Sequence, residues 1–242
     1  MMPRTLGFDW KVQLAWLDDT AAQVAEGTGP QELRGYLDEY LQRDADTELS
    51  PTARSKAITV LSHLRCNVPQ HATSFRDRAL SLLREVLPDE RVAVHWSMAS
   101  ATYPFFTDVT AVVGRMLALQ GETDIRTVRR RVAERWGERS TVARAVGVVV
   151  GTMRDWGTID AIGKGRSVAT PALPVPHHLS ETLVEGLLLS GTIQNVSTDD
   201  ALHHPSLFPF KLNLDLRELR SSATVAVDRL GGTVDVIRLA SC

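Results

Sequence analysis

The chain has 242 residues, 43% of them hydrophobic and 23% charged, an ordinary globular composition with enough length for one sizeable core or a few small ones. Its 27 Lys and Arg against 29 Asp and Glu give a formal charge of -2, which excludes a uniformly basic, histone-like protein and requires any nucleic-acid surface to be local. Two distant cysteines, Cys66 and Cys242, exclude a disulfide framework. No apolar leader follows the first residues, and no apolar run approaches the roughly 20 residues that span a bilayer. The expected location is therefore the cytoplasm, with no membrane role.

In chain order, the apolar spacing predicts a helix over 10–24, with Leu14, Leu17 and Ala21 on one face and Gly27-Thr28-Gly29-Pro30 ending it. A second helix follows over 31–41. The third has the clearest start: Ser50 caps, Pro51 suits the first turn, and Ile58, Leu61 and Leu64 form a stripe. Two further helices are expected over 74–86 and 89–102, the latter with His95 and Trp96 as core and surface alternation. Tyr103-Pro104 marks the next break.

From residue 105 the pattern changes. A helix over 105–119 buries Phe106, Val109, Val113 and Met116, and Gln120-Gly121 ends it. A short helix over 125–136 turns Val128 and Val132 inward before Gly137. Ser140 then opens a third helix to Trp156, with Val142, Val146, Val149, Val150 and Met153 apolar. Gly157 stops it, and 158–162 and 167–170 read as strands around Gly163-Lys164-Gly165-Arg166, a β-hairpin with a basic tip. Trp136 and Trp156, each next to a helix-ending Gly, are expected as core plugs. Residues 170–176 read as a linker, 180–189 as a helix, 203–210 as a loop packed by its aromatics, and 225–239 as a terminal hairpin around Gly231-Gly232. Aligning Ser50 with Ser140 also pairs Ala53 with Ala143 and Arg54 with Arg144, an echo between two helix starts.

Helix, helix, turn, helix and basic hairpin over 105–171 resembles the winged helix-turn-helix DNA-binding superfamily. The resemblance implies a mainly α fold with small β content, read as three segments. These are an N-terminal helical domain (1–103), a winged helix-turn-helix (104–171) and a small α+β region with a β-hairpin (172–242). The helical front and the Ser-x-x-Ala-Arg and Ser-Thr-x-x-Arg helix starts also resemble the small DNA-binding subunit of bacterial phage-exclusion (BREX) defence systems.

Charge follows the same segment. Residues 120–170 hold ten basic and six acidic side chains, a local +4 that leaves -6 for the rest of the chain. In a winged helix the start of the third helix enters the major groove, which assigns Arg139, Ser140, Thr141 and Arg144 to base and phosphate contacts. Ser140 has the alternative role of a helix cap. Arg126, Arg129 and Arg130 on the preceding helix are expected at phosphates, and Lys164 and Arg166 at the hairpin tip reach for backbone or minor groove.

No catalytic signature is present: the sequence lacks a Gly-rich phosphate loop and a nucleophile elbow. His63, Cys66 and His71 lack metal-ligand spacing, and Asp199-Asp200 with His203-His204 lie in a Pro-flanked polar loop. The expectation is a non-enzymatic protein without metal or cofactor that binds double-stranded DNA as a transcriptional regulator or as the DNA-recognising subunit of a bacterial complex. A protein partner or homodimer is expected as well. The alternative is an adapter whose winged helix binds protein.

Overall fold

The computed structural model of the chain describes residues 6–44 and 48–240. It is mainly α with small sheets. The front is built from α1 (Leu14–Ala25), α2 (Pro30–Arg43), α3 (Pro51–Arg65), α4 (Thr73–Leu82) and α5 (Arg91–Thr102). Ser50 accepts from the Ala53 N–H at 3.3 Å, so the expected start of α3 is capped as its sequence requires. The first helix begins later than its periodicity predicts. Phe8 and Val12 are fully buried in a non-helical segment that bends at Trp10, so packing keeps residues 8–13 out of the helix until Gln13 opens α1.

Next come α6 (Pro104–Gln120), β1 (Thr123–Asp124), α7 (Ile125–Trp136), α8 (Ser140–Asp155), β2 (Ile159–Gly163) and β3 (Arg166–Ala169). The expected hairpin β2–β3 gains a third strand, because Thr123 and Asp124 pair antiparallel with Ser167 and Arg166, giving the order β1-β3-β2. The rest comprises β4 (Leu173–Pro174), α9 (His177–Leu189), β5 (Asn195–Ser197), α10 (Thr198–Leu202), β6 (Phe210–Lys211), α11 (Leu216–Arg220), β7 (Val225–Leu230) and β8 (Val234–Leu239). The stretch 170–176 is more than a linker: β4 pairs in parallel with β6, anchoring the chain as it leaves the hairpin. The terminal hairpin forms, with β5 added in the order β5-β8-β7.

Trp96 on α5 ties the molecule together. Its ring meets Phe106, Trp156, Phe208 and Phe210 edge-on at 5.1–6.1 Å, and its Nε1–H donates to the Ser206 carbonyl at 3.0 Å. One fully buried indole of the first segment thus contacts residues of the other two, and the buried apolar side chains form one continuous cluster from Phe8 to Ile237. The expected alternation at His95-Trp96 is not found. Both side chains are buried, because α5 is surrounded by α1, α3, α4, α6 and α9 and has no solvent face at that point. Among the described residues no helix is long and apolar enough to cross a membrane.

Candidate nucleic-acid interface

Local sequence sets α7 in place. Asp124 caps it by accepting from the Thr127 N–H at 3.2 Å, and Gly137, with φ 85°, ends it. Val128, Val132 and Trp136 face the core. The arginines on the opposite side, Arg126, Arg129, Arg130 and Arg131, are exposed. Trp136 is an interior plug as expected, edge-on to Phe105 at 5.0 Å with its Nε1–H donating to Asp108 at 2.8 Å. Arg135 also bonds Asp108, so this end of α7 is fastened to α6.

The turn into α8 corrects one expectation. Ser140 is the first helical residue and makes no capping bond; Arg139 holds the cap position with a backbone alone. The N–H groups of the first turn of α8 therefore have no side-chain acceptor, and the positive end of the helix dipole lies at an exposed surface formed by Ser140, Thr141 and Arg144. Arg144 makes no hydrogen bond or ion pair among the described residues. By contrast, Arg139 folds back on the turn, its guanidinium donating to the Trp136 carbonyl at 3.1 Å. Arg129 is a brace: its Nε–H donates to the Ala143 carbonyl at 3.0 Å, fixing α7 against α8.

At the hairpin tip, Lys164 has φ 33° between two glycines also at positive φ, which turns its side chain outward at the apex. Arg166 is less available than its sequence position implies. Its guanidinium makes a two-point ion pair with Glu122, one bond at 3.1 Å and a shorter one through Nη2, which neutralises much of its charge. The Ile125 N–H donates to the Gly165 carbonyl at 2.9 Å, so the tip rests on the start of α7. Exposed cations occur on each of these three elements. Lys164 stands at the tip, Arg126 beside the residue that holds the tip, Arg130 one turn further, and Arg144 beside the carbonyl that Arg129 grips.

Long-range packing adds what no local signal carries. The non-helical segment 8–13 lies along the second half of α8: Trp156 Nε1–H donates to the Val12 carbonyl at 2.9 Å, and Lys11 Nζ pairs with Asp155 at 2.9 Å. A Cβ on Gly151 would stand 2.6 Å from the Lys11 side chain, which would have to shift to admit one. The first turn of α8 is exposed while segment 8–13 packs on its second half, so a duplex would meet the start of this helix.

No protein-family model, curated protein or solved structure matches this chain. The other candidates found in the sequence do not assemble into a metal centre. Among the described residues no group of three His, Cys, Asp or Glu side chains is arranged to hold a metal ion. The His63 ring meets Tyr103 tilted at 45° and His71 bonds the Ala101 carbonyl, while His203 contacts Asp199 one turn away.

Proposed function

We propose that the segment 104–171 is a winged helix-turn-helix and that the chain binds double-stranded DNA through the first turn of α8, the exposed face of α7 and the β2–β3 tip. The observation that carries this reading is the coincidence of an uncapped, exposed helix start at Ser140, Thr141 and Arg144 with three further exposed cations, Arg126, Arg130 and Lys164. Free first-turn N–H groups and cations on one surface are what a phosphate backbone meets. In this reading Arg144 is the base-reading candidate and Arg126, Arg130 and Lys164 are phosphate contacts, while Arg129, Arg139 and Arg166 position their neighbours. The protein acts in the cytoplasm, without catalysis, as a transcriptional regulator or as the DNA-recognising subunit of a bacterial complex such as a phage-defence system.

The adapter reading has one observation in its favour: Ile162 is 48% exposed at the hairpin beside the neutralised Arg166, giving the tip a mixed character. Titration of the full chain into a short fluorescent duplex of mixed sequence, at low and at high salt, separates the two. Binding that weakens steeply with salt supports the DNA reading; a flat signal at low salt with folded protein favours the adapter.

A further inference from the structure

The covering of α8 by segment 8–13 leaves a groove of about 410 Å³ between them, within the range of small-molecule sites. Its walls are apolar and partly aromatic: the Trp10 indole, Trp16, Leu49 and the Val148 side chain, with Gly147 opening the helix surface between Arg144 and Val148. Of its lining charges, Lys11, Asp155 and Arg144, one cation is left unpaired among the described residues. Lys11 and Asp155 neutralise each other. Arg144 enters the lining without a partner among the described residues, and the Lys56 ammonium, outside the lining, sits 5.6 Å from the centroid of the Trp10 ring with no ion pair among the described residues.

We propose that this groove binds a small aromatic carboxylate, with its ring against Trp10 and Val148 and its carboxylate on the Arg144 guanidinium. A planar guanidinium offers two parallel N–H donors that match a carboxylate, and an indole face offers stacking. An inorganic anion would forgo the apolar walls, and a neutral arene would leave Arg144 and Lys56 uncompensated. Arg144 also belongs to the proposed DNA surface, so a bound carboxylate takes it away from the duplex and weakens DNA binding. This second clause rests on the DNA reading; the first does not.

The test is calorimetric titration of the DNA-free full chain with 1-naphthoate, and with 1-naphthalenemethanol and inorganic phosphate for comparison. The expected result is saturable 1:1 binding of naphthoate, at least ten-fold tighter than the alcohol, and no heat from phosphate. Val148→Asp, on a partly exposed helix position, should weaken naphthoate at least ten-fold, and Lys56→Gln about three-fold, both with unchanged near-UV circular dichroism. Absent binding, equal affinity for the alcohol, or undiminished binding by folded Val148→Asp overturns the site. With duplex present, naphthoate should lower DNA affinity several-fold in the wild type and not in Val148→Asp. Unchanged DNA affinity in the wild type overturns the coupling alone. A protein that never binds duplex sinks the DNA reading, while the naphthoate titration still decides the groove.

Discussion

Two groups of arginines in this chain face opposite physical circumstances. Along α7, α8 and the β2–β3 tip, Arg126, Arg130 and Arg144 stand in solvent with Lys164, and their charge costs the fold nothing. In the helical front, Arg65 is fully buried among α3 and α5. Its Nη2–H donates to His95 Nδ1, its Nε and Nη1 have no partner, and burial pulls its pKa down to about 10. Because Arg65 always donates, His95 must carry its own proton on Nε2, which it gives to Asp18 at 2.9 Å; Asp18 is shared with Arg91 at 3.5 Å. The buried group is a specified network whose removal endangers the fold, whereas the exposed group is free to act on something outside the molecule.

The largest effects should come from the buried side. His95→Ala leaves Arg65 wholly unsatisfied and opens a cavity, and should cost roughly 3–5 kcal/mol in chemical denaturation. The double change Arg65→Met/His95→Phe, which removes both polar partners, should recover at least about half of that loss. If the single and double variants are equally destabilised, the network is not what the burial costs report. In neither case should the folded fraction lose DNA affinity.

Acid should act on the same network. Burial, reinforced by the neighbouring Arg65 charge and opposed by the bond to Asp18, lowers His95 to about 4, and burial and Arg115 lower His204 to about 4. Both groups have folded values below the ordinary histidine value of about 6.5, so the unfolded chain binds more protons between pH 6.5 and 4. Stability is therefore complete above pH 6.5 and falls as pH drops through that window. Thermal melts across it should show a falling Tm that is less steep for the Arg65→Met/His95→Phe variant; a flat profile would contradict neutral buried histidines.

On the exposed side the effects should be felt in binding alone. Arg144→Ala should lose roughly 1–3 kcal/mol on a preferred sequence and much less on random duplex, with Tm within about 1 °C of wild type. Smaller still is the contrast at the hairpin. Lys164→Ala should lower the salt slope by about 0.9, while Arg166→Ala, already paired with Glu122, should change it by about half as much or less. Glu122→Gln, which frees Arg166, should tighten binding slightly; weaker binding by this variant would show that the ion pair positions the tip.

The parts legible in the sequence were those that local chemistry decides. The end of α7 follows from Gly137, the start of α3 from Ser50 and Pro51, and the β2–β3 hairpin from its glycines. The parts not legible depend on distant residues. β1 is a strand only because β3 lies beside it; Arg166 is neutralised by a residue 44 positions away; and α8 is covered by Lys11, 144 positions from Asp155. The echo of Ser50 in Ser140 shows the limit of pattern alone. Ser50 caps and Ser140 does not, and Arg54 is ion-paired with Asp38 at 2.6 Å while Arg144 stands open.

The central claim is that the exposed cations of α7 and the hairpin tip contact phosphate. Its most direct test is the salt dependence of duplex binding by the full chain and by the triple variant Arg126→Ala, Arg130→Ala, Lys164→Ala, followed by fluorescence anisotropy. With three phosphate contacts the wild-type log-log slope should be about 3 units steeper than that of the triple variant, with thermal stability unchanged. A folded triple variant that binds duplex with the wild-type slope would contradict the claim.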